Sequence, residues 1–221
     1  MRPYYTTVMS PFRRLAPLSG VVALTLCMAL ARTAAPAAGE RVILCFGDSL
    51  TAGLGVTPAE AYPARLAARL LAEGYRYRVV NAGVSGDTTA GGLRRLDWAL
   101  RLEPAIVILA LGANDGLRGQ DLRGARENLD ALVGRFQRAG ARVLLAGMRL
   151  PPNYGRPYAE EFRRMYEAVA RQHRVPLMPF LLDGVGGNPR LNQPDGIHPT
   201  AEGHRLIAER LWPHLLPLLS P

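Results

Sequence analysis

The amino-acid sequence predicts a three-layer α/β domain with a parallel sheet, and three observations carry that expectation. From residue 42 onward, short apolar runs alternate with longer amphipathic ones, the order that a strand–helix repeat imposes. One run, Ala105-Ile106-Val107-Ile108-Leu109-Ala110-Leu111, is apolar throughout, as a strand covered by helices on both faces must be. Small polar clusters follow the apolar runs, at the carboxyl ends of the expected strands, where open α/β sheets bind their ligands.

Each element has its own signal. The first strand, 42–46, is the apolar run Val42-Ile43-Leu44-Cys45-Phe46, and the helix at 62–73 carries Leu66, Leu70 and Leu71 at helical spacing. A strand at 77–81 and a helix at 89–101 follow. After the strand at 105–111, the helix at 122–139 has a stripe of Leu122, Leu129, Leu132, Val133 and Phe136. The same alternation gives a strand at 142–146, a helix at 158–173, a strand at 175–180 and a last helix at 201–216. No internal repeat and no long linker divides the run, so residues 39–221 read as a single domain. The long irregular loops are 151–155 and 184–194, and functional loops often have that character.

The first 38 residues differ in kind. Arg2, Arg13 and Arg14 precede an uncharged apolar stretch at 16–31, and small residues follow, with Ala35-Pro36-Ala37 or Ala37-Ala38-Gly39 suited to cleavage. That order predicts a signal peptide and export of the domain to the periplasm or the medium. An uncleaved segment anchoring the domain to the membrane is the alternative, although the apolar stretch is shorter than the roughly 20 residues a spanning helix needs. Leu26 before Cys27 does not suit a lipidation site. Removing the leader leaves Cys45 as the single cysteine, so no internal disulfide is expected, and its place in the first strand predicts a buried small hydrophobe.

All 27 basic residues are arginine, and the 221-residue chain has a formal net charge of +9. Four arginines precede residue 39 while all 18 acids follow it, which leaves a net +5 on the expected domain. Arginines interleave with acids, as in Arg94-Arg95-Leu96-Asp97, a pattern that reads as solvated helix faces. No basic stripe with interleaved aromatics is present, which argues against nucleic acid as a partner. Transient contact with membrane lipid is compatible with the basic balance; the oligomeric state has no sequence signature here.

A serine hydroxyl attacks a carbonyl only when a base takes its proton, and the base works best when a carboxylate holds its tautomer. Asp195-Gly196-Ile197-His198 offers both partners on one loop, whereas His173, His204 and His214 lie on or at the ends of helices. After the leader, the serines are Ser49, Ser85 and Ser220. Ser49 stands where the first strand turns into a helix; Ser85 precedes an Asp87-Thr88 pair that reads as a helix cap. Donors for a developing oxyanion are the backbone N–H of Ser49, that of Gly86, and the Asn114 carboxamide. Asp48 and Asp115 are expected to tie their loops to neighbouring backbone N–H groups.

Gly47-Asp48-Ser49-Leu50, Gly86 in Ser-Gly-Asp-Thr, Gly112-Ala113-Asn114-Asp115 and Asp195-Gly196-Ile197-His198 together resemble, in order and spacing, the four blocks of the GDSL or SGNH hydrolases. Residues 114–119 and 149–155 further resemble the bacterial subgroup of exported acyl-CoA thioesterases, lysophospholipases and arylesterases. The resemblance implies a flavodoxin-like sheet of order 2-1-3-4-5. It also implies Ser49 as nucleophile, His198 as base, Asp195 as its orienting acid, and Ser49, Gly86 and Asn114 as the oxyanion hole. The substrate would be an acyl ester or thioester, and no cofactor is required.

Leu117, Met148, Leu150, Pro151, Pro152, Tyr154 and Ile197 put apolar groups in the loops beside this site, so a substrate groove is expected there, with loop anchoring as their other use. A carbohydrate acetylesterase on the same scaffold is the enzymatic alternative. A phosphate or nucleotide binding module is the other, but 47–55 lacks the G-x-x-x-x-G-K-[ST] pattern and Asp48 would repel phosphate. No metal is expected, because Asp195, His198 and Glu202 lack a second close histidine.

Overall fold

The computed structural model describes residues 41–220. β1 (Arg41–Gly47) and β3 (Pro104–Ala110) pair at the centre of a five-stranded sheet, flanked by β2 (Tyr77–Gly83), β4 (Arg142–Ala146) and β5 (Leu177–Met178). The order is β2-β1-β3-β4-β5 and every pairing is parallel, which is the flavodoxin-like arrangement the resemblance implied. The connecting helices are α1 (Ser49–Ala52), α2 (Tyr62–Ala72), α3 (Thr89–Arg94), α4 (Leu96–Leu100), α5 (Ala113–Leu117), α6 (Leu122–Arg138), α7 (Arg156–His173) and α8 (Ala201–Leu215).

Apolar residues from both faces of the sheet make the core. β1 is buried from Val42 onward and β3 from Ile106 onward, as strands with helices on both sides require. On α6, Leu129, Leu132, Val133 and Phe136 are all fully buried, and Phe136 meets Phe46 of β1 edge to face at 5.5 Å between ring centroids. Burial of such side chains stabilises the fold by about 1.5–3 kcal/mol each, and Phe136→Ala would cost about 3–5 kcal/mol. Cys45 is buried and unpaired, and burial pushes its thiol pKa up, so it behaves as a small core residue.

Register positions the site. Gly47 stands opposite Gly83 of β2 and Ala110 of β3, so three chain segments leave the sheet level with one another. Their following residues therefore share one rim.

Several elements depart from the expected boundaries. The helix expected at 89–101 breaks at Arg95, whose backbone leaves the helical region (φ −106°, ψ 7°). β5 contributes two residues to the ladder, because Pro176 and Pro179 on either side lack the N–H that would extend it. On α2 the buried stripe is Leu66 and Leu70, while Leu71, one residue round the helix, is exposed. The expected signal peptide at 1–38 lies outside the described residues, and among the described residues no helix is long and apolar enough to cross a membrane.

Candidate active site

Ser49 is the first residue of α1, placed there by an abrupt strand-to-helix turn. Asp48 caps the helix, its Oδ1 accepting from Leu50 N–H at 3.0 Å, and satisfies one of the donors a helix start leaves unpaired. The turn is tight because Gly83 of β2 has no side chain: a Cβ there would stand 2.1 Å from the Ala52 backbone nitrogen. Behind it, the buried Thr51 hydroxyl pairs with Tyr62 OH at 2.9 Å and fixes α1 against α2. Sequence reasoning expected Asp48 to tie its loop, and it does so.

The histidine comes from the loop between β5 and α8. Asp195 Oδ1 accepts from the backbone N–H of Ile197 at 2.9 Å and of His198 at 3.0 Å, which folds the four residues into a compact turn. Its Oδ2 lies 2.7 Å from His198 Nδ1, and His198 Nε2 lies 2.9 Å from Ser49 Oγ. Three side chains predicted as one group thus form a continuous hydrogen-bonded line. Asp195 is held down to about pKa 2, first by the backbone N–H of His198, then by its ring and by the N–H of Ile197. It therefore stays ionised wherever the imidazole needs it. Gln193 locks the loop, with its Nε2 donating to the Pro199 carbonyl and to that of Leu54, just past α1.

Opposite the imidazole lie the expected oxyanion donors. Val84 to Asp87 make a turn closed by Asp87 N–H on the Val84 carbonyl at 3.0 Å, with Gly86 at φ 79°, a value the third position of a type II turn requires. Among the described residues, neither Gly86 N–H nor Ser49 N–H has an intramolecular acceptor, so both are available to a ligand. Asn114 Nδ2 donates to the Asp87 carbonyl at 2.9 Å and reaches Asp48 Oδ2 at 3.4 Å. Asp115, also read as a loop tie, is buried and accepts from Thr89 N–H at 2.9 Å and Thr89 Oγ at 2.6 Å. It joins α5 to the start of α3, and Thr88 caps that helix as its sequence suggested.

Burial has a price at Asp48. Only 2% exposed, it is pushed up to about pKa 6, first by desolvation, against the Leu50 N–H and the nearby His198, which favour its ionised form.

Arg95 corrects the reading of 94–97 as a solvated face. Its guanidinium lies under the rim, with Nε donating to Asp87 Oδ2 at 2.7 Å, Nη1 to the Ala82 carbonyl at 2.8 Å and Nη2 to the Gly47 carbonyl at 2.9 Å. The same group sits over the Phe46 ring, 3.7 Å from its centroid. Arg95 stands at the break between α3 and α4. One arginine thereby ties the last turns of β1 and β2 to the residue whose carbonyl holds Asn114. No sequence signal marked it, since a run of arginine and acid is ordinarily exposed.

A mostly apolar cleft of about 460 Å³ opens next to these residues, lined by Ala113, Leu117, Met148, Leu150, Phe180 and Ile197 among others. Of the residues expected at a substrate groove, Leu117, Met148, Leu150, Pro151, Pro152 and Ile197 line it. Tyr154 does not: its hydroxyl donates to the Leu117 carbonyl at 2.9 Å and anchors one wall. Ala113 and Ile197 are the chain neighbours of Asn114 and His198, so the cleft begins where the polar line ends. Ser85 is exposed, and Ser220 bonds to Arg142 beyond the opposite ends of the strands. Glu202 is bonded to Arg205.

A parallel sheet whose carboxyl rim joins a serine, an imidazole and a carboxylate beside an apolar cleft defines the class of serine acyl hydrolases. Comparison with known proteins agrees. Residues 45–206 match the GDSL-like lipase/acylhydrolase family. The chain is 47% identical to the esterase TesA of Pseudomonas aeruginosa over 87% of its length and 96% of that protein. It is 38% identical to thioesterase 1/protease 1/lysophospholipase L1 of Escherichia coli K12, over 83% of its length and 88% of that protein. Among solved structures, the esterase EstA of a Pseudoalteromonas species, inhibited by monoethylphosphonate, superposes with a TM-score of 0.77 at 35% identity, covering 80% of this chain and 98% of that one. The chain belongs to the GDSL-like lipase/acylhydrolase family, and it is a hydrolase of acyl esters or thioesters.

Proposed function

We propose that hydrolysis proceeds through an acyl-enzyme on Ser49, in a domain exported across the cytoplasmic membrane. Ser49 Oγ attacks the acyl carbonyl carbon while His198 Nε2 takes its proton, and Asp195 holds the Nδ1–H and stabilises the imidazolium. The carbonyl oxygen gains the negative charge and rests on the N–H groups of Ser49 and Gly86 and on the Asn114 carboxamide. For this the Asn114 amide gives up its long contact to Asp48. His198 then returns the proton to the departing alkoxide or thiolate as the carbon–oxygen or carbon–sulfur bond breaks. Water, deprotonated by the same imidazole, repeats the attack and releases the carboxylic acid.

The observation that carries this reading is the line Asp195 Oδ2, His198, Ser49 Oγ, at 2.7 and 2.9 Å, formed across 149 residues of chain. The cleft is far larger than an acetyl group needs, which favours a longer acyl chain over an acetylated sugar. The relatives' activities as esterase and as thioesterase/lysophospholipase support acyl esters, lysophospholipids and acyl thioesters as the substrate range.

A p-nitrophenyl ester series of increasing acyl length tests both parts. Turnover should rise beyond acetate, and rapid acid quench should trap an acyl adduct on the peptide containing Ser49. Ser49→Ala should fold normally and lose about 10⁴-fold or more of the activity. A folded Ser49→Ala variant with wild-type turnover would remove the mechanism.

A further inference from the structure

The mouth of the site contains four carboxylates, and each is answered from within the fold. Asp48 accepts from Leu50 N–H, Asp87 pairs with Arg95, Asp115 accepts from Thr89, and Asp195 is bound by its loop amides and His198. Two exposed cations beside the site are not answered in the same way: Arg149, which lines the cleft and lies over the Phe180 ring, and Arg118. Arg118 follows α5 directly, and its Nη2 donates to the Gly86 carbonyl at 3.0 Å. Among the described residues it has no carboxylate partner. Its side chain is exposed at the turn that contains the Gly86 N–H.

Leu117 lines the apolar cleft, while Arg118 reaches across to the Gly86 turn. For an acyl chain in the cleft, the ester oxygen sits beside His198, which protonates it, and the guanidinium is the charged group across the Gly86 turn from there. We infer that Arg118 is a specificity residue that receives a phosphate carried by the leaving group, an inference that rests on the Ser49 reading above. The planar guanidinium suits phosphate because it offers paired N–H donors and a charge that is never lost. In a monoacyl glycerophospholipid only five bonds separate the ester oxygen from phosphorus, so the phosphate stays close to the reacting carbonyl. Acyl-CoA presents the same chemistry, although its phosphates lie beyond a long pantetheine arm.

The experiment compares wild type, Arg118→Gln and Arg118→Lys on three donors sharing one short acyl chain, each below its aggregation threshold. The donors are lysophosphatidylglycerol, the neutral monoacylglycerol, and acyl-CoA. Wild type should favour the phosphate ester over the neutral one in kcat/KM, less so at high salt. Arg118→Gln should cut that preference about five- to tenfold, chiefly through KM, and Arg118→Lys should keep part of it. An equal drop on acyl-CoA also supports phosphate recognition and extends it to the thioester; no drop there assigns it to the glycerophosphate. Equal losses on all three donors would mean that Arg118 only clamps the Gly86 turn, and an unchanged preference would mean no role, so either result overturns the inference. If the Ser49 reading is what fails, the signature differs: wild type turns over these donors with no acyl adduct on Ser49.

Discussion

Ser49 is held by groups from distant parts of the chain, whereas His198 is held by its own loop. On the serine side, the carbonyl of Gly47 is bound by Arg95, 48 residues away, and Asn114 reaches Asp87 and Asp48 across 27 and 66 residues. Asp48 and Asp115 there are both buried. On the histidine side, Asp195 bonds within three residues of itself, is 45% exposed at its side chain, and depends on a short turn closed by Gln193 N–H on the His198 carbonyl at 2.7 Å. Ser49, Gly86 and Asn114 are thus set by the sheet, and His198 by a local turn that the sheet only carries. Besides the His198–Ser49 hydrogen bond itself, Gln193 joins the two through its bond to the Leu54 carbonyl. In the proposed mechanism rigid placement of Ser49 and the donors matters because an oxyanion tolerates little misplacement.

The sharpest way to break the comparison is Asp195→Asn. It leaves the serine side untouched, yet it should lower kcat by about 10³–10⁴-fold, because the amide no longer stabilises the imidazolium or fixes its tautomer. A melting temperature near that of wild type would show that the damage is confined to the histidine side.

The opposite break is Arg95→Lys. An ammonium cannot span Asp87 and two carbonyls with the geometry of a guanidinium, so Gly86 and Asn114 should loosen. We expect about a tenfold fall in kcat with a smaller change in KM, and a lower melting temperature. The downfield proton resonance of the His198–Asp195 hydrogen bond should remain, and its loss would show that the two sides are not independent.

A third test concerns acid stability and leaves the chemistry at neutral pH unchanged. His204 lies on α8 just past the histidine loop, is fully buried, and accepts from Tyr62 N–H through Nδ1. Desolvation first, and then the charge of Arg65, lower its pKa from 6.5 to about 4. The unfolded chain therefore takes up a proton near pH 6.5 while the folded chain resists until near 4, so stability from this group is lost as pH falls through that window. Melting temperatures measured from pH 7 down to 4 should decline. His204→Gln should flatten the part of the decline that this residue causes, and an unchanged slope would assign it elsewhere.

How much of this could be read in the sequence follows the same division. The alternation of apolar and amphipathic runs carried the sheet and its layers, since covered strands and helices each impose their own period. The pairing of Asp195 with His198 was legible because the two lie within four residues, and the place of Ser49 because a strand ends beside it. Arg95 was not. Its role depends on where carbonyls from β1 and β2 end in space, and nothing local distinguishes an arginine turned under a rim from one in water. The short β5 follows from prolines that were visible, but the apolar pattern of 175–180 outweighed them. Tyr154 had the right loop for a groove residue, yet its hydroxyl found a carbonyl first.

The account turns on Ser49 Oγ being the atom activated by His198. Incubation with a fluorophosphonate, followed by peptide mass mapping, addresses that atom directly. We predict one phosphonate adduct, located on Ser49, forming in step with loss of esterase activity and almost absent in a folded His198→Ala variant. An adduct on Ser85 instead, or complete inactivation with Ser49 unmodified, would contradict it.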